Sequence, residues 1–285
     1  SGLGGSGNLP GSNGSPGSGG GIFSKDDNSP FGQDSTITNS TIAFNQNGIA
    51  PVPDSFFAMV AAGVHHDSSG GSLTLNHTTI TGNSGIDGAF ATGAGLSGNG
   101  LILSNTILHG NTTGGLPNDL ENDHTITGNC LIGTSAGVRT NPGGFTVLTT
   151  DPLLGSPANN GGPTQTLLPQ ANSPVIDAGT SSALATDQRG FSRPIGPLPD
   201  LGAVEHQGQF VNTLADENNT NPSALSLREA IANASNSPAP DNIITFDPAI
   251  FAGPNPTIAF TNGEIAVPDF STVHLDASLL SSNVH

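Results

Sequence analysis

One short motif recurs along the first half of the chain and fixes what the chain can fold into. Thr36-Ile37-Thr38-Asn39-Ser40-Thr41-Ile42-Ala43-Phe44-Asn45 aligns with Leu73-Thr74-Leu75-Asn76-His77-Thr78-Thr79-Ile80-Thr81-Gly82-Asn83. Leu101-Ile102-Leu103-Ser104-Asn105-Thr106-Ile107-Leu108-His109-Gly110-Asn111 follows the same pattern, and the shorter His124-Thr125-Ile126-Thr127-Gly128-Asn129 ends the set. Read in register, Ile37, Leu75 and Leu103 coincide, as do Ile42, Ile80, Leu108 and Ile126, and then Asn45, Asn83, Asn111 and Asn129. An upstream signal travels with three of the units: Gly21-Ile22, Gly63-Val64 and Gly95-Leu96. Apolar and polar residues alternate with a period of two, which is the signature of strands, and no helical spacing establishes itself.

No such unit can bury its own apolar face, whereas stacked copies bury a continuous column. The Asn-to-Asn steps are 38, 28 and 18 residues. The shorter steps suit one coil of a right-handed parallel β-helix, with insertions entering at turns, as expected near residues 50–70 around Pro51-Val52-Pro53. A recurrent Asn fits a coil corner, because Asn tolerates left-handed backbone and its amide can bond to copies above and below.

Composition removes the competing classes. The chain carries five Lys and Arg against 22 Asp and Glu, a net charge of −17, so it lacks the basic face that nucleic acid or an anionic membrane surface requires. No run approaches the roughly 20 apolar residues of a membrane span. Forty Gly and 22 Pro in 285 residues suit disorder or a turn-rich β fold, and the 33% hydrophobic content favours the β fold. A single Cys130 cannot form an intramolecular disulfide. The acidic, Asn/Thr-rich, Lys-poor composition reads as extracellular.

Residues 151–208 read Asp151-Pro152-Leu153-Leu154-Gly155, Asn159-Asn160-Gly161-Gly162-Pro163-Thr164-Gln165-Thr166 and Ser173-Pro174-Val175-Ile176-Asp177-Ala178-Gly179. Asp187-Gln188-Arg189-Gly190-Phe191-Ser192-Arg193-Pro194 and Asp200-Leu201-Gly202-Ala203-Val204-Glu205 complete the run. It resembles the choice-of-anchor Q domain of bacterial surface and secreted proteins. The resemblance implies a segment that follows β-helix coils and closes them at their C-terminal end, with Asp177, Asp187, Arg189, Asp200 and Glu205 as its motif residues. Residues 209–285 resemble the capping segment of the same proteins named for Cys-Ser-Leu-Arg-Glu-Ala. The matching stretches are Phe210-Val211-Asn212-Thr213-Leu214-Ala215-Asp216, Leu225-Ser226-Leu227-Arg228-Glu229-Ala230-Ile231 and Asp241-Asn242-Ile243-Ile244-Thr245-Phe246-Asp247. The family's Cys is Leu225 here, so any role of that thiol is absent. Ser226 and Glu229 have the spacing of a capping box, which predicts a short helix through about Asn233, with Arg228 on it. Such a helix would cover the open edge of a first coil.

In the family the capping segment precedes the coils and the anchor-like segment follows them. This chain runs coils over 1–150, the closing segment over 151–208, then a cap and the first coil of a following unit. That order, with no initiator Met or signal peptide, is expected of one period of a tandem array, or of a subunit whose C-terminal strands complete the next one.

Enzymatic readings are weaker. Pectate-lyase-like and polygalacturonase-like β-helices need clustered carboxylates and a basic residue on the sugar acid. Of the five basic residues, Arg189, Arg193 and Arg228 lie in the two motifs above, Arg139 in a Gly/Pro-rich stretch, and Lys25 alone stands elsewhere. No Asp pair recurs on the coil strands, so no catalytic residues and no cofactor are assigned. His65-His66-Asp67 reads as an exposed loop pair, since neighbouring side chains on a strand point to opposite faces. Asp26-Asp27-Asn28, Asp119 to Asp123 and Asp216-Glu217-Asn218-Asn219 are oxygen clusters suited to Ca²⁺, but none matches a known calcium loop, and solvated turns are the favoured reading. Cys130 reads as a small buried hydrophobe. Asn-x-Ser/Thr triplets arise from composition, with Asn13-Gly14-Ser15 the best glycosylation candidate.

The sequence therefore predicts an all-β, right-handed single-stranded parallel β-helix with a short capping helix. It is expected to serve as a structural element of the cell surface or of an extracellular filament. The expected partner is the chain itself, head to tail, with surface glycans as a second class and neither nucleic acid nor a membrane span. A carbohydrate-binding adhesin or carbohydrate-active enzyme is the competing expectation.

Overall fold

A computed structural model describes residues 21–25, 34–46, 62–68, 70–85, 95–137, 139–170, 173–218, 225–235, 243–251, 256–265 and 274–276. The insertion expected at 50–70 lies mostly outside them, as do Asn13-Gly14-Ser15 and Asp26-Asp27-Asn28. The chain divides into two compact units. One contains residues 1–153 with 178–180 and 201–203; the other contains 154–177, 181–200 and 204–285.

The first unit is a parallel β-helix. Its first coil has β1 (Ile22–Lys25) and β2 (Ser35–Ala43), and its second has β3 (Val64–Asp67), β4 (Leu73–Thr81) and β5 (Ser84–Gly85). The third has β6 (Leu96–Gly98), β7 (Leu101–Ser104), β8 (Ile107–His109) and β9 (Thr112–Thr113), from which a short antiparallel excursion, β10 (Leu116–Pro117), departs. The fourth has β11 (His124–Ile126) and β12 (Cys130–Ile132), and the last β13 (Arg139–Thr140) and β14 (Val147–Leu148). β1, β3 and β6 stack in parallel on one side, and Leu120 continues that column through an isolated bridge to Leu96. β5 pairs with β9 on a further side, and strands β2, β4, β7, β8 and β11 to β14 form a sheet that curls through 260°. It curls because β2 and β4 bend at Asn39 and His77, and Asn105 separates β7 from β8; all three sit in left-handed backbone, at φ 46°, 48° and 48°.

The register carries the apolar column predicted from the repeats. Ile37 pairs with Leu75 and Leu75 with Leu103, and Ile42 pairs with Ile80 and Ile80 with Leu108. All but Ile37, which is partly buried and packs against them, form one buried cluster with Val64, Leu73, Leu96, Leu101 and Leu120. Each buried Leu or Ile contributes on the order of 1.5–3 kcal/mol from water exclusion, so the column is the main source of stability. Just past each left-handed corner a small polar residue faces inward. Thr78 donates to the Ile37 and Asn76 carbonyls, Thr106 to the Leu75 and Ser104 carbonyls, and Cys130, in the same place, to that of Gly128.

The glycines upstream of each unit have a steric cause. A Cβ on Gly21 would meet the carbonyl oxygen of Gly63, one on Gly63 that of Gly95, and one on Gly95 that of Asp119. Those same carbonyls accept from Ile22, Val64 and Leu96 at 2.8, 2.8 and 2.9 Å, so the coils touch through backbone there.

The shortest repeat is out of register with the expectation. Ile126 pairs with Leu103, not with Leu108; Leu108 pairs with Ile132. The pentapeptide Thr-Ile-Thr-Gly-Asn occurs at 79–83 and again at 125–129. The first copy runs past the corner to the end of a side, whereas the second spans the corner itself, because β11 ends there and β12 begins at Cys130. Asn129 is accordingly not a member of the Asn45 column.

In the second unit β15 (Gln209–Val211), β16 (Ile243–Phe246) and β17 (His274–Asp276) form a parallel sheet in that order. The helix α1 (Leu227–Ser235) packs Ala230, Ile231 and Ala234 against Val211 and Ile244, and Phe251 of the short α2 (Pro248–Phe251) joins them. Phe251 meets Phe246 edge to face at 5.1 Å. Thr257-Ile258-Ala259-Phe260 repeats the tetrapeptide Thr41-Ile42-Ala43-Phe44, in each case between two parallel strands of one stack, β16 and β17 or β1 and β3.

Candidate functional site

Asn45, Asn83 and Asn111 form a continuous ladder. Asn83 Oδ1 accepts from Asn45 N and Nδ2 at 3.0 and 2.9 Å, and Asn111 Oδ1 accepts from Asn83 N and Nδ2 at 3.0 and 2.8 Å. The second proton of each amide is used as well: Asn83 Nδ2 donates to the Ile42 carbonyl and Asn111 Nδ2 to that of Ile80, both at 3.0 Å. The next rung is an aspartate. Asp119 Oδ1 accepts from Asn111 N and Nδ2 at 2.8 Å each, while Oδ2 accepts from Thr134 N and Oγ1. An amide must donate onward and a carboxylate need not, so Asp119 terminates the ladder and Thr134 satisfies it. Asn83 and Asn111 are completely buried and Asp119 nearly so, which makes each of these bonds costly to lose. The spacing hid Asp119, because the β9–β10 excursion separates it from the preceding Asn.

Asn129 serves the corner. Its Oδ1 accepts from Thr146 N and its Nδ2 donates to the Ala178 carbonyl. Asn105 does the same one coil earlier: its Oδ1 accepts from Thr180 N and Oγ1, and its Nδ2 reaches the Thr180 carbonyl and His77 Nε2. Leu201–Ala203 lie on the adjoining side, where Gly202 N donates to the Asn105 carbonyl and Ala203 N to Thr79 Oγ1. Two pieces of the closing motif thus run along the flank of the coils and account for the burial of Ile107, whose side chain a Cβ on Gly202 would strike.

The rest of that motif builds a buried ionic cluster in the second unit. Arg189 Nε meets Asp187 Oδ2 and Arg193 Nε meets Glu205 Oε2, each at 2.9 Å, with all four side chains excluded from solvent. Glu205 also accepts from Ile195 N and Asp200 N, Asp200 from Asp177 N and His206 N, and Asp187 from the backbone of Arg189, Phe191 and Glu205. The sequence motif thus contains the cluster, and Arg193 joins the five motif residues that the resemblance singled out. Three buried carboxylates share two guanidinium groups. Burial pushes Glu205 up to about 7, against the Arg193 charge, and raises Asp200 well above the usual range, with Glu205 adding like-charge repulsion. Half-buried Asp177 is raised by desolvation too, and desolvation lowers Arg193.

The cap helix starts with the predicted box: Glu229 accepts from Ser226 N at 2.9 Å and Glu229 N donates to Ser226 Oγ at 3.2 Å. Arg228 does a different job. It pairs with Asp216 through Nε and Nη2, and donates to the Gly263 and Glu264 carbonyls. It also lies 6.0 Å from the centre of the Phe260 ring. Asp216 accepts in addition from Thr261 N and Asn262 N, and the Arg228 hydrogen bonds hold its carboxyl down at about 2. This pair ties the 261–264 loop to the helix, so Asp216, the first member of the oxygen cluster named from the sequence, is committed to an ion pair.

His65-His66-Asp67 is strand β3 rather than an exposed loop. His66 is fully buried with Nδ1 3.2 Å from Ser24 Oγ, while His65 faces outward with Nδ1 2.8 Å from Ser97 Oγ. Burial lowers the His65 pKa. Arg139, expected in a loop, begins β13. Glu121 and Asp123 border an open cleft of about 440 Å³ with Asn99 and Asn122. Among the described residues no three His, Cys, Asp or Glu side chains converge as metal ligands. No described helix is long and apolar enough to cross a membrane.

Fold and ladder together define the class, a parallel β-helix of stacked coils. No family model, curated protein or solved structure matches the chain.

Proposed function

We propose that the chain is a structural β-helix unit of a bacterial cell surface or extracellular filament, joined head to tail to copies of itself or to neighbouring repeats. The observation that carries this reading is the use made of its chemistry. Arg189, Arg193 and Arg228 are anchored to Asp187, Glu205 and Asp216 within their own motifs, and Asp119 ends the ladder. Three of the five basic residues, with their carboxylate partners, are thereby engaged in holding backbone rather than in forming a sugar-acid site. Among the described residues lining the open cleft at Glu121 and Asp123 none is aromatic, so the cleft offers no stacking platform for a sugar there, which favours assembly over glycan binding.

The resemblance of 151–208 to choice-of-anchor Q domains and of 209–285 to the Cys-Ser-Leu-Arg-Glu-Ala segment supports the same reading. The resemblance implies a surface or secreted β-helix protein, in which a closing module would be followed by the cap of the next unit. Sedimentation velocity over a range of protein and salt concentrations tests the proposal. A concentration-dependent series of oligomers is expected, strengthened by salt that screens the −17 charge. A single monomeric species throughout would contradict it, as would cleavage of a polysaccharide by the purified chain.

A further inference from the structure

The apolar columns of the two units end in complementary ways. In the first unit Ile22 of β1 stands in register with Val64, which is fully buried, and is itself 37% exposed. In the second, Leu275 of β17 stands in register with fully buried Ile244 and is 57% exposed. Both are inward-facing positions on the outermost strand of their stack among the described residues. Among the described residues no strand pairs with the outer edge of β1 or of β17. An open parallel edge over an exposed apolar residue is an unstable way to end a solenoid, and a further strand relieves both defects.

The two ends also match in kind. Both stacks are parallel and advance one strand per coil in chain order, β15 to β16 to β17 and β1 to β3 to β6. The shared tetrapeptide at 41–44 and 257–260 falls between successive strands of each stack, largely within β2 in the first unit and in irregular chain in the second. A strand added beyond β17 must be parallel, must open a coil of this pattern and must bring an apolar residue over Leu275. β1 of a second copy meets all three conditions. We infer that the outer edge of β17 in one copy adds in parallel to the outer edge of β1 in the next, with Leu275 stacked on Ile22. The contact is heterologous, so it propagates rather than closing as a symmetric dimer. It rests on the head-to-tail reading above and names its surfaces.

Two single variants, Ile22→Cys and Leu275→Cys, each made in a Cys130→Ser background, test it. Residues in register on paired strands lie within disulfide reach. Mixed and mildly oxidised, the two variants should give a covalent dimer that is absent from either variant alone, and sedimentation should be unchanged by the substitutions. Dimers formed as readily by one variant alone mean that like ends meet and overturn the inference. So does the absence of any disulfide while oligomers persist, because assembly then uses another surface, or the chain's own termini cover these edges. Loss of all oligomers from the unsubstituted chain would instead overturn the head-to-tail proposal itself.

Discussion

Asn111 Oδ1 accepts two hydrogen bonds from one residue, the backbone and side-chain nitrogens of Asn83, 28 residues earlier in the chain. The same fork joins Asn45 to Asn83 and Asn111 to Asp119, so the coils are linked by side chains as well as by backbone. A column of this kind sets the register of the stack: slipping a coil by one residue would break every rung and leave buried amides unpaired.

Replacing Asn83 with Ala removes one double acceptor and two donors from a fully buried site. We expect a loss of about 2–4 kcal/mol in denaturant unfolding. The matching Asn129→Ala change, at a half-buried corner with single bonds on either side, should cost on the order of 1 kcal/mol. Equal losses would mean that the ladder is no stronger than an ordinary corner.

The ladder has a direction, and Asp119 tests it. Asp119→Asn keeps an acceptor for Asn111 but turns an amide toward Thr134 N, donor against donor. The variant should lose about 1–3 kcal/mol despite its near-identical shape. Asp119→Asn with unchanged stability would show that Thr134 can reorient and that the carboxylate is not required.

Stability should fall as pH rises through the range set by Glu205. Its folded pKa, about 7, lies above the ordinary value of 4.5, so the folded state holds the extra proton over that interval. A raised carboxyl pKa therefore stabilises at acid pH and ceases to do so above about 7, and the rise at Asp200 acts in the same direction. Thermal unfolding should show a melting temperature lower by several degrees at pH 8 than at pH 5. Glu205→Gln should be less stable at pH 5 and should flatten the dependence. A melting temperature that climbs across this window would refute the assignment.

Cys130 occupies the inward corner position that Thr78 and Thr106 fill in earlier coils, and burial pushes its thiol up to about 12. The native chain should resist thiol reagents at pH 8 and react fully once unfolded. Cys130→Thr should stay within about 1.5 kcal/mol of the parent, because the site already suits a hydroxyl bonded to a carbonyl. Rapid native-state labelling would place the thiol outside the core.

Period-two alternation and the glycine positions made the coil legible in the sequence, because both are local signals of a backbone that repeats. The pairings of Ile37 with Leu75 and of Ile80 with Leu108 follow from them directly. Asn129 was misplaced because the pentapeptide at 125–129 copies 79–83, and only the three-dimensional corner tells the two apart. Asp119 lacked a signal altogether, since a hairpin separates it from Asn111. Asp187, Arg189 and Glu205 stand out in the sequence motif and Arg193 lies in the same stretch, but the Asp187–Arg189 and Arg193–Glu205 pairings depend on how loops fold back in space. A signal for the second stack was present and unread in the duplicated Thr-Ile-Ala-Phe.

The proposed role requires that copies of the chain stack end to end. Cryo-electron microscopy of the purified chain at high concentration in moderate salt tests it most directly. Unbranched fibres with one polar repeat per subunit and a strand spacing of about 4.8 Å along the axis are expected. Dispersed single particles under all conditions, with both ends free, would contradict it.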